Sequence, residues 1–218
     1  MKSRNIGRNT EVITTKLTVS AIMVALSTVL SFIKFADLPY GGSVTLFSFV
    51  PILFVGYAYG AKWGFCTGLV HGILQMIFGI SGSVAGAGFK WWQVILCALL
   101  DYLVAFALLG TSGMFKKSIK NPQVSLAVGT FVACMLKYLS HAASGFILFK
   151  GYAEWFFTDG AGAAYGSAVL EKFSGNSLGL LYTFVYNGLF SIPEMIISIV
   201  MAVILISVKP IRKAAKIK

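Results

Sequence analysis

Residues 135–152 read MLKYLSHAASGFILFKGY and place two ionisable side chains inside an apolar run that extends over residues 124–149. A run of this length can cross a bilayer as one α-helix. Lys137 and His141 are four residues apart, so they share one face of that helix. Three more residues fall near the same face: Tyr138, Gly145 and Tyr152. Because polar groups in a membrane span need partners, this face predicts either a hydrogen-bonded contact between helices or one wall of a ligand pocket.

The composition is that of an integral membrane protein. The chain has 218 residues, of which 57% are hydrophobic and only 11% are charged, whereas soluble domains are about 25% charged. The net charge is +11, but the basic residues lie in tails and short connections, so the lipid bilayer rather than nucleic acid is the expected partner. We expect one transmembrane domain over residues 1–218, with short basic cytoplasmic tails at about 1–13 and 209–218.

Six apolar segments predict an all-α bundle of six transmembrane helices. They cover about residues 17–36, 44–59, 63–80, 93–113, 124–149 and 178–208. The second segment is short and contains Pro51, so it is expected to be kinked or tilted. Residues 34–43 are predicted to form a turn-rich outer loop, and residues 150–177 a longer, aromatic outer loop.

The Lys and Arg residues predict the orientation. With the N-terminus inside, 13 of them fall on the inner side and 4 on the outer side, while Lys137 lies within a span. The outer four are Lys34, Lys90, Lys150 and Lys172. Cytoplasmic loops are enriched in Lys and Arg, so both termini are expected in the cytoplasm.

Small residues recur at helical spacing in two places. Gly64, Gly68 and Gly72 are four residues apart in the third segment and allow close helix contact. Ala21 and Ala25 form a weaker pair on the first segment, where helix packing is the default interpretation and docking of a partner protein is the alternative.

Asp101 is the acidic residue in the middle of a predicted span, and it must be paired, hydrated or neutral there. Its possible partners are Lys137, His141 and a cationic ligand. One interpretation is an ion pair with Lys137 that joins two helices; the other is a contact with a cationic or hydrogen-bond-donating ligand. Tyr182, Tyr186 and Asn187 lie near the outer end of the sixth segment, at the level of His141. Glu194 is a weaker candidate, whereas His71 and Gln75 are predicted to form hydrogen bonds between helices.

Several kinds of chemistry lack their motifs. The sequence contains no G-x-x-x-x-G-K-[ST] loop for ATP, no H-E-x-x-H metal motif and no G-x-S-x-G nucleophile elbow. The three cysteines lie in apolar segments without metal-ligand spacing. We therefore expect no cofactor, no metal and no enzyme activity.

Five motifs, in this order, resemble a known family: LPYGGS, WGFCTGLVHGILQ, LLDYLVAFALLG, GTFVACMLKYLSHAASGFILFKGYA and YTFVYNGLFSIPE. They are similar to the thiamine-specific substrate-binding subunits (ThiT type) of energy-coupling-factor (ECF) vitamin transporters. The resemblance implies a multi-pass plasma-membrane protein that captures thiamine from outside with high affinity. It also implies three partner chains: a transmembrane coupling subunit, for which Ala21 and Ala25 would form a docking face, and two ATPase subunits.

The resemblance also implies which residues contact the ligand. Asp101 would be the acidic contact, His141 the imidazole, Gly145 the point of close access and Phe149 the stacking aromatic. The remaining contacts would be Tyr182 and Asn187, with Tyr40, Tyr152 and Tyr186 as further candidates. Some family members have Glu and Trp where this chain has Asp101 and Phe149, which admits a precursor or an analogue as substrate.

Three alternatives remain open from the sequence. The first is a subunit for another vitamin or precursor, such as a hydroxymethylpyrimidine-like or riboflavin-like molecule. The second is an intramembrane enzyme that uses Asp101 and His141 as an acid–base pair. The third is a membrane protein with a purely structural role.

Overall fold

The computed structural model describes residues 2–38 and 42–214. Its first half contains α1 (Lys2–Ser31), the strands β1 (Lys34–Leu38) and β2 (Gly42–Thr45), α2 (Val50–Tyr59) and α3 (Ala61–Val84). Its second half contains α4 (Trp91–Phe115), α5 (Pro122–Ser144), α6 (Ala153–Thr158), α7 (Gly166–Lys172), α8 (Gly175–Ser207) and α9 (Lys209–Ala214).

Two helical segments contain π-helical turns, which are wider than α-helical turns. In α4, π-helical residues Ala98–Val104 separate α-helical Trp91–Cys97 from α-helical Ala105–Leu109, and a 3₁₀ turn ends the segment. After α5, the chain continues as a π-helical extension, Gly145–Phe149. Neither interruption was expected from the sequence.

Five helical segments are long and apolar enough to cross a membrane, which makes the chain a multi-pass membrane protein. These segments are Thr10–Ser31, Ala61–Val84, Trp91–Phe115, Pro122–Thr158 and Gly175–Ser207. The second predicted helix, over residues 44–59, is different, because only Val50–Tyr59 of it is helical. Pro51 lies in the first turn of α2, where a proline needs no backbone donor, so it begins the helix instead of kinking it.

The prediction of an entirely α-helical chain with a loop at residues 34–43 is wrong at the β-hairpin. Strands β1 and β2 pair in antiparallel fashion, with Lys34 opposite Thr45 and Leu38 opposite Gly42. β1 is mainly exposed, whereas Thr45 of β2 is buried. The packed side of β2 therefore attaches the hairpin to the bundle.

Hydrogen bonds show that α1 and α3 run parallel to each other. Trp63 Nε1 donates to Ser20 Oγ at 2.9 Å, and Gln75 Nε2 donates to Ser31 Oγ at 2.9 Å. Between these levels, both ring nitrogens of the fully buried His71 contact hydroxyl groups of α1. This confirms the prediction that His71 and Gln75 link helices. Because α1 and α3 are parallel, the hairpin and α2 together bring the chain back between them.

Glycines let α2, α3 and α4 approach each other to backbone contact. A Cβ added to Gly64 would collide with the Gly110 carbonyl oxygen of α4 and with the Gly56 Cα of α2. A Cβ added to Gly68 would collide with the Phe106 carbonyl oxygen. The predicted role of the Gly64 and Gly68 spacing in close helix packing is confirmed.

The outer connection over residues 150–177 is largely helical rather than a loop. Its 3₁₀ turn Lys150–Tyr152 leads into α6 and then, through a second 3₁₀ turn, into α7. Phe156 and Phe157 of α6 are buried, and their rings pack edge to face with centroids 5.0 Å apart. This connection therefore packs against α8 as an additional layer of short helices.

We predict that Gly64→Ala lowers the thermal unfolding midpoint of the detergent-purified protein, because overpacking costs about 1–3 kcal/mol. Gly82→Ala in the same helix is the matched control. Among the described residues, no heavy atom outside the local helix lies within 4 Å of a Cβ at Gly82, so this change should be neutral or stabilising. Equal midpoints for the two variants would contradict the backbone contact.

Candidate functional site

A cavity of about 540 Å³ lies between α1, the hairpin, α3, α4, α5 and α8. This volume is within the range of about 300–1,000 Å³ that is typical of small-molecule sites. Seven of the nine candidate ligand contacts line it: Asp101, His141, Gly145, Phe149, Tyr182, Tyr186 and Asn187. Tyr152 is not among the lining residues, but its ring centroid lies 6.4 Å from that of Phe149, which is. Tyr40 lies outside the described residues.

Two rows of side chains with a spacing of four residues face the cavity. The α5 row comprises Lys137, His141, Gly145 and Phe149, and the α8 row comprises Tyr182, Tyr186, Phe190 and Glu194. The two helices are antiparallel, so Lys137 and Glu194 occupy the same end of the cavity. Tyr138 is not part of this wall, because its hydroxyl donates to the Phe184 carbonyl at the exposed side of the α5–α8 contact.

Asp101 connects α4 to α5 through both carboxylate oxygens. Its Oδ1 lies 2.9 Å from His141 Nδ1, and its Oδ2 accepts from Ser144 Oγ at 2.5 Å. Cys97 Sγ is also close to Oδ2, at 3.3 Å. The side chain of Asp101 is 17% exposed, so the carboxylate is held firmly but still reaches the cavity.

The π-helical turn of α4 helps to bring Asp101 to α5. Asp101 is in the middle of the π-helical residues, whose wider turn weakens the usual pairing of backbone groups. Ser140 Oγ of α5 donates to the Leu100 carbonyl at 2.6 Å and so satisfies an acceptor in this region. Asp101 and the backbone beside it are therefore both bonded to the same helix.

His141 stands between Asp101 and Lys137. Its Nε2 is 2.9 Å from Lys137 Nζ, while its Nδ1 faces Asp101. An ammonium group can only donate, so Nε2 is the acceptor and Nδ1 carries the proton that is donated to the carboxylate. Among the described residues, Asp101 is hydrogen-bonded to His141 and has no direct contact with Lys137, so the predicted Asp101–Lys137 ion pair is not formed.

Lys137 is buried within a ring of aromatic side chains. Its side chain is 4% exposed, and Nζ lies 4.7 Å from the ring centroid of Phe49 and 5.3 Å from that of Phe106. A third ring, of Phe190, is at 5.7 Å. Cation–π attraction and the hydrogen bond to His141 together compensate for the loss of water around the ammonium group.

An aromatic wall covers the α8 side of the cavity. The ring centroids of Tyr182 and Tyr186 are 5.5 Å apart, and Phe190 continues the series 6.2 Å from Tyr186. From the outer connection, Phe156 packs against Tyr182 at 5.3 Å and against Tyr186 at 5.9 Å. These contacts hold the two tyrosine rings in place along the cavity.

Gly145 permits the close approach of α8 to the π-helical extension of α5. A Cβ at this position would collide with Thr183 Oγ1 and lie 3.0 Å from Asn187 Nδ2. Asn187 Nδ2 donates to the Thr183 carbonyl at 2.8 Å. Gly145 is therefore required by the packing of α8, in addition to lying at the cavity surface.

Several lining residues were missed or ranked low by sequence reasoning. Thr45, Tyr102 and Phe106 had no detectable signal, because they reach the cavity only through tertiary packing. Phe190 and Glu194 did have a signal, since they continue the four-residue spacing of Tyr182 and Tyr186 along one helix face. Glu194 Oε1 accepts a hydrogen bond from Thr45 N at 3.1 Å and a short one from the Thr45 hydroxyl.

Ala21 and Ala25 lie far from this network, on α1. Both are exposed at the surface of the described structure rather than packed inside the bundle. The structure thus leaves this pair of small residues on an outer face of the first helix.

Comparison with known proteins identifies relatives that are named as thiamine transporters. Residues 17–171 match the family described as Thiamine transporter protein (Thia_YuaJ). The chain is 30% identical over 201 residues to the thiamine transporter ThiT of Bacillus subtilis (strain 168), which covers 87% of this chain and 89% of that protein.

The fold has a counterpart among solved structures. ThiT from Listeria monocytogenes superposes with a TM-score of 0.63, at 19% sequence identity, over 89% of this chain and 94% of that chain. At this identity the likeness concerns the fold alone. The sequence match is more extensive, and it confirms the resemblance that the five motifs indicated: this chain belongs to the thiamine transporter protein (Thia_YuaJ) family.

Proposed function

We propose that this protein is the high-affinity thiamine-binding membrane subunit of an ECF-type vitamin transporter. The observation that carries the proposal is the hydrogen-bonded row Asp101–His141–Lys137, which faces an aromatic wall across the cavity. The relatives are named as transporters, and this supports transport rather than catalysis. In this proposal, the subunit captures thiamine from outside and performs no chemistry on it.

The cavity offers partners for both rings of thiamine. The exocyclic amine of the aminopyrimidine can donate to Asp101, because a carboxylate has about four acceptor positions and the described residues bring three donors to it. The amide of Asn187 can read another polar edge of the same ring. The thiazolium is permanently cationic, and each aromatic face of Tyr182 or Tyr186 can contribute about 0.5–2 kcal/mol to its binding.

The remaining candidates have supporting positions in this proposal. Phe149 lines the cavity and packs against Phe89 with ring centroids 5.1 Å apart, so it can stack on a flat ligand from the α5 side. Tyr152 backs Phe149. Tyr40 is kept as an aromatic contact from the hairpin region.

We propose that the energy for transport comes from other chains. A transmembrane coupling subunit would dock on the α1 face that carries Ala21 and Ala25, since small residues allow helices to approach closely. Two ATPase subunits would complete the complex. The exposure of both alanines in the described structure supports this assignment.

The proposed topology has six crossings of the plasma membrane within one transmembrane domain, with both termini in the cytoplasm. Five crossings are the long helical segments. The sixth combines the hairpin with α2, which at about 1.5 Å per residue is only about 15 Å long and cannot span the bilayer alone. The excess of Lys and Arg on the inner side supports the orientation.

We predict that Asp101→Ala weakens thiamine binding by roughly 10- to 100-fold, because hydrogen bonds to a charged group are worth about 1.5–3 kcal/mol. His141→Ala should weaken it by a similar factor. The measurement is titration of detergent-purified protein with thiamine, riboflavin and biotin, followed by tryptophan fluorescence or calorimetry.

The control for these variants is Tyr138→Phe, which removes a hydrogen bond between α5 and α8 outside the cavity. It should leave the affinity for thiamine unchanged. If Asp101→Ala/His141→Ala bound thiamine as tightly as the wild type, the assignment of the site would be wrong. Binding of riboflavin or biotin without binding of thiamine would overturn the proposed substrate.

We predict opposite accessibility for two exposed positions in a cysteine-free variant expressed in intact cells. Asp159→Cys, in the outer connection, should react with a membrane-impermeant maleimide, whereas Ser118→Cys, between α4 and α5, should react only after the cells are opened. Both side chains are exposed, so their reactivity reports on sidedness. The reverse pattern would invert the topology.

We predict that Ala21→Leu/Ala25→Leu abolishes thiamine uptake in cells but leaves thiamine binding to the purified protein intact. The larger side chains would separate α1 from the coupling subunit. Ile22→Leu, which replaces one exposed residue of the same helix with another of equal size, is the control and should retain uptake. Normal uptake by the double variant would exclude this face as the docking surface.

A further inference from the structure

The cavity contains more negative than positive charge. Its buried part holds two carboxylates, of Asp101 and Glu194, against the one ammonium group of Lys137. His141 donates through Nδ1 and accepts through Nε2, so it is neutral in this arrangement. At the exposed mouth, Lys34 and Asp37 form an ion pair at 3.0 Å and cancel each other. With both carboxylates ionised and Lys137 protonated, the described titratable side chains that line the cavity carry one net negative charge.

Burial opposes the ionised form of Glu194, and two donors from Thr45 favour it. The backbone N–H and the hydroxyl of Thr45 both reach its Oε1, and the backbone group can only donate. The side chain is 4% exposed, so water does not screen it as it would screen a surface carboxylate. Donors stabilise the charge of Glu194 without neutralising it.

An unbalanced charge within a membrane protein is costly, and a cation that enters the cavity relieves the cost. The hydrogen bonds of Asp101 to His141 and Ser144 give this carboxylate a local role in shape recognition. Glu194 lies at the other end of the α8 row from Tyr182, beside the residues that anchor the hairpin. Its charge can act on a ligand through the cavity without a direct contact.

We propose that Glu194 is a specificity-determining residue: it supplies the negative charge that makes the cavity select a permanent monocation over a neutral molecule of the same shape. The inference rests on the proposed function and extends it, because it assigns cation selectivity to a residue outside the Asp101–His141–Lys137 row. The positive charge of Lys137 has the opposite effect, because it lowers the preference of the cavity for a cation.

The test compares the dissociation constants of thiamine and of its uncharged isostere, in which carbon replaces the thiazolium nitrogen. Full-length protein is titrated in detergent with each compound. The wild type should bind thiamine more tightly than the isostere by roughly tenfold or more, the order expected for one unit charge about 10 Å away at an effective dielectric constant of 20. Equal affinities in the wild type would overturn the inference without any variant.

Glu194→Gln removes the charge but keeps an oxygen that can accept from Thr45. We expect thiamine binding to weaken by roughly tenfold and isostere binding to change much less, so that the preference for the cation falls. Lys137→Gln should shift the preference in the opposite direction, even if both affinities fall. Tyr138→Phe, which removes a hydrogen bond outside the cavity, should leave the preference as in the wild type.

The outcomes separate the two proposals. If Glu194→Gln weakens both ligands by the same factor, Glu194 only anchors the hairpin, and the inference is wrong while the proposed function stands. If the wild type binds the isostere but not thiamine, the charge assignment is wrong. If it binds neither compound, the proposed function fails, and the inference that rests on it fails too.

Discussion

The structure depends on the compensation of charge in helices that cross a membrane. A charged Asp101 on α4 and a charged Lys137 on α5 are each costly inside a membrane. His141 donates a hydrogen bond to Asp101 and accepts one from Lys137. This bridge requires the two helices to remain in register to within hydrogen-bonding distance. Ser140 and Ser144 strengthen the same contact with bonds to the Leu100 carbonyl and to Asp101. The polar groups that line the cavity and the contacts that pack α4 against α5 therefore belong to one hydrogen-bond network.

The bundle is narrow where its residues are small and wide where they are large. Gly56, Gly64 and Gly110 bring α2, α3 and α4 into backbone contact. Near the ends of these helices that face the hairpin, large aromatic side chains line the space between the helices, and the cavity lies there. In a bilayer, packing and polar contacts replace hydrophobic burial as the main source of helix association, so close glycine contacts can support an open cavity at the other end.

The parts of the chain that least resemble membrane helices complete the site. Thr45 of β2 joins the hairpin to Glu194, and Phe156 of α6 packs behind Tyr182 and Tyr186. Both contacts link segments that are far apart in the sequence. A change in either segment would therefore alter the cavity without altering any of the long helices.

Local rules determined much of this protein from the sequence alone. Apolar length predicts the long spans, the spacing of Gly64 and Gly68 predicts close packing, and helical periodicity places Lys137 and His141 on one face. The sequence also places Asp101, Tyr182 and Asn187 among the candidate contacts. Only the tertiary structure decided that His141 separates Asp101 from Lys137, that residues 34–38 and 42–45 form paired strands, and that Glu194 meets Thr45. These contacts depend on how distant segments cross and on π-helical turns that shift side chains around the helix, and neither follows from local periodicity.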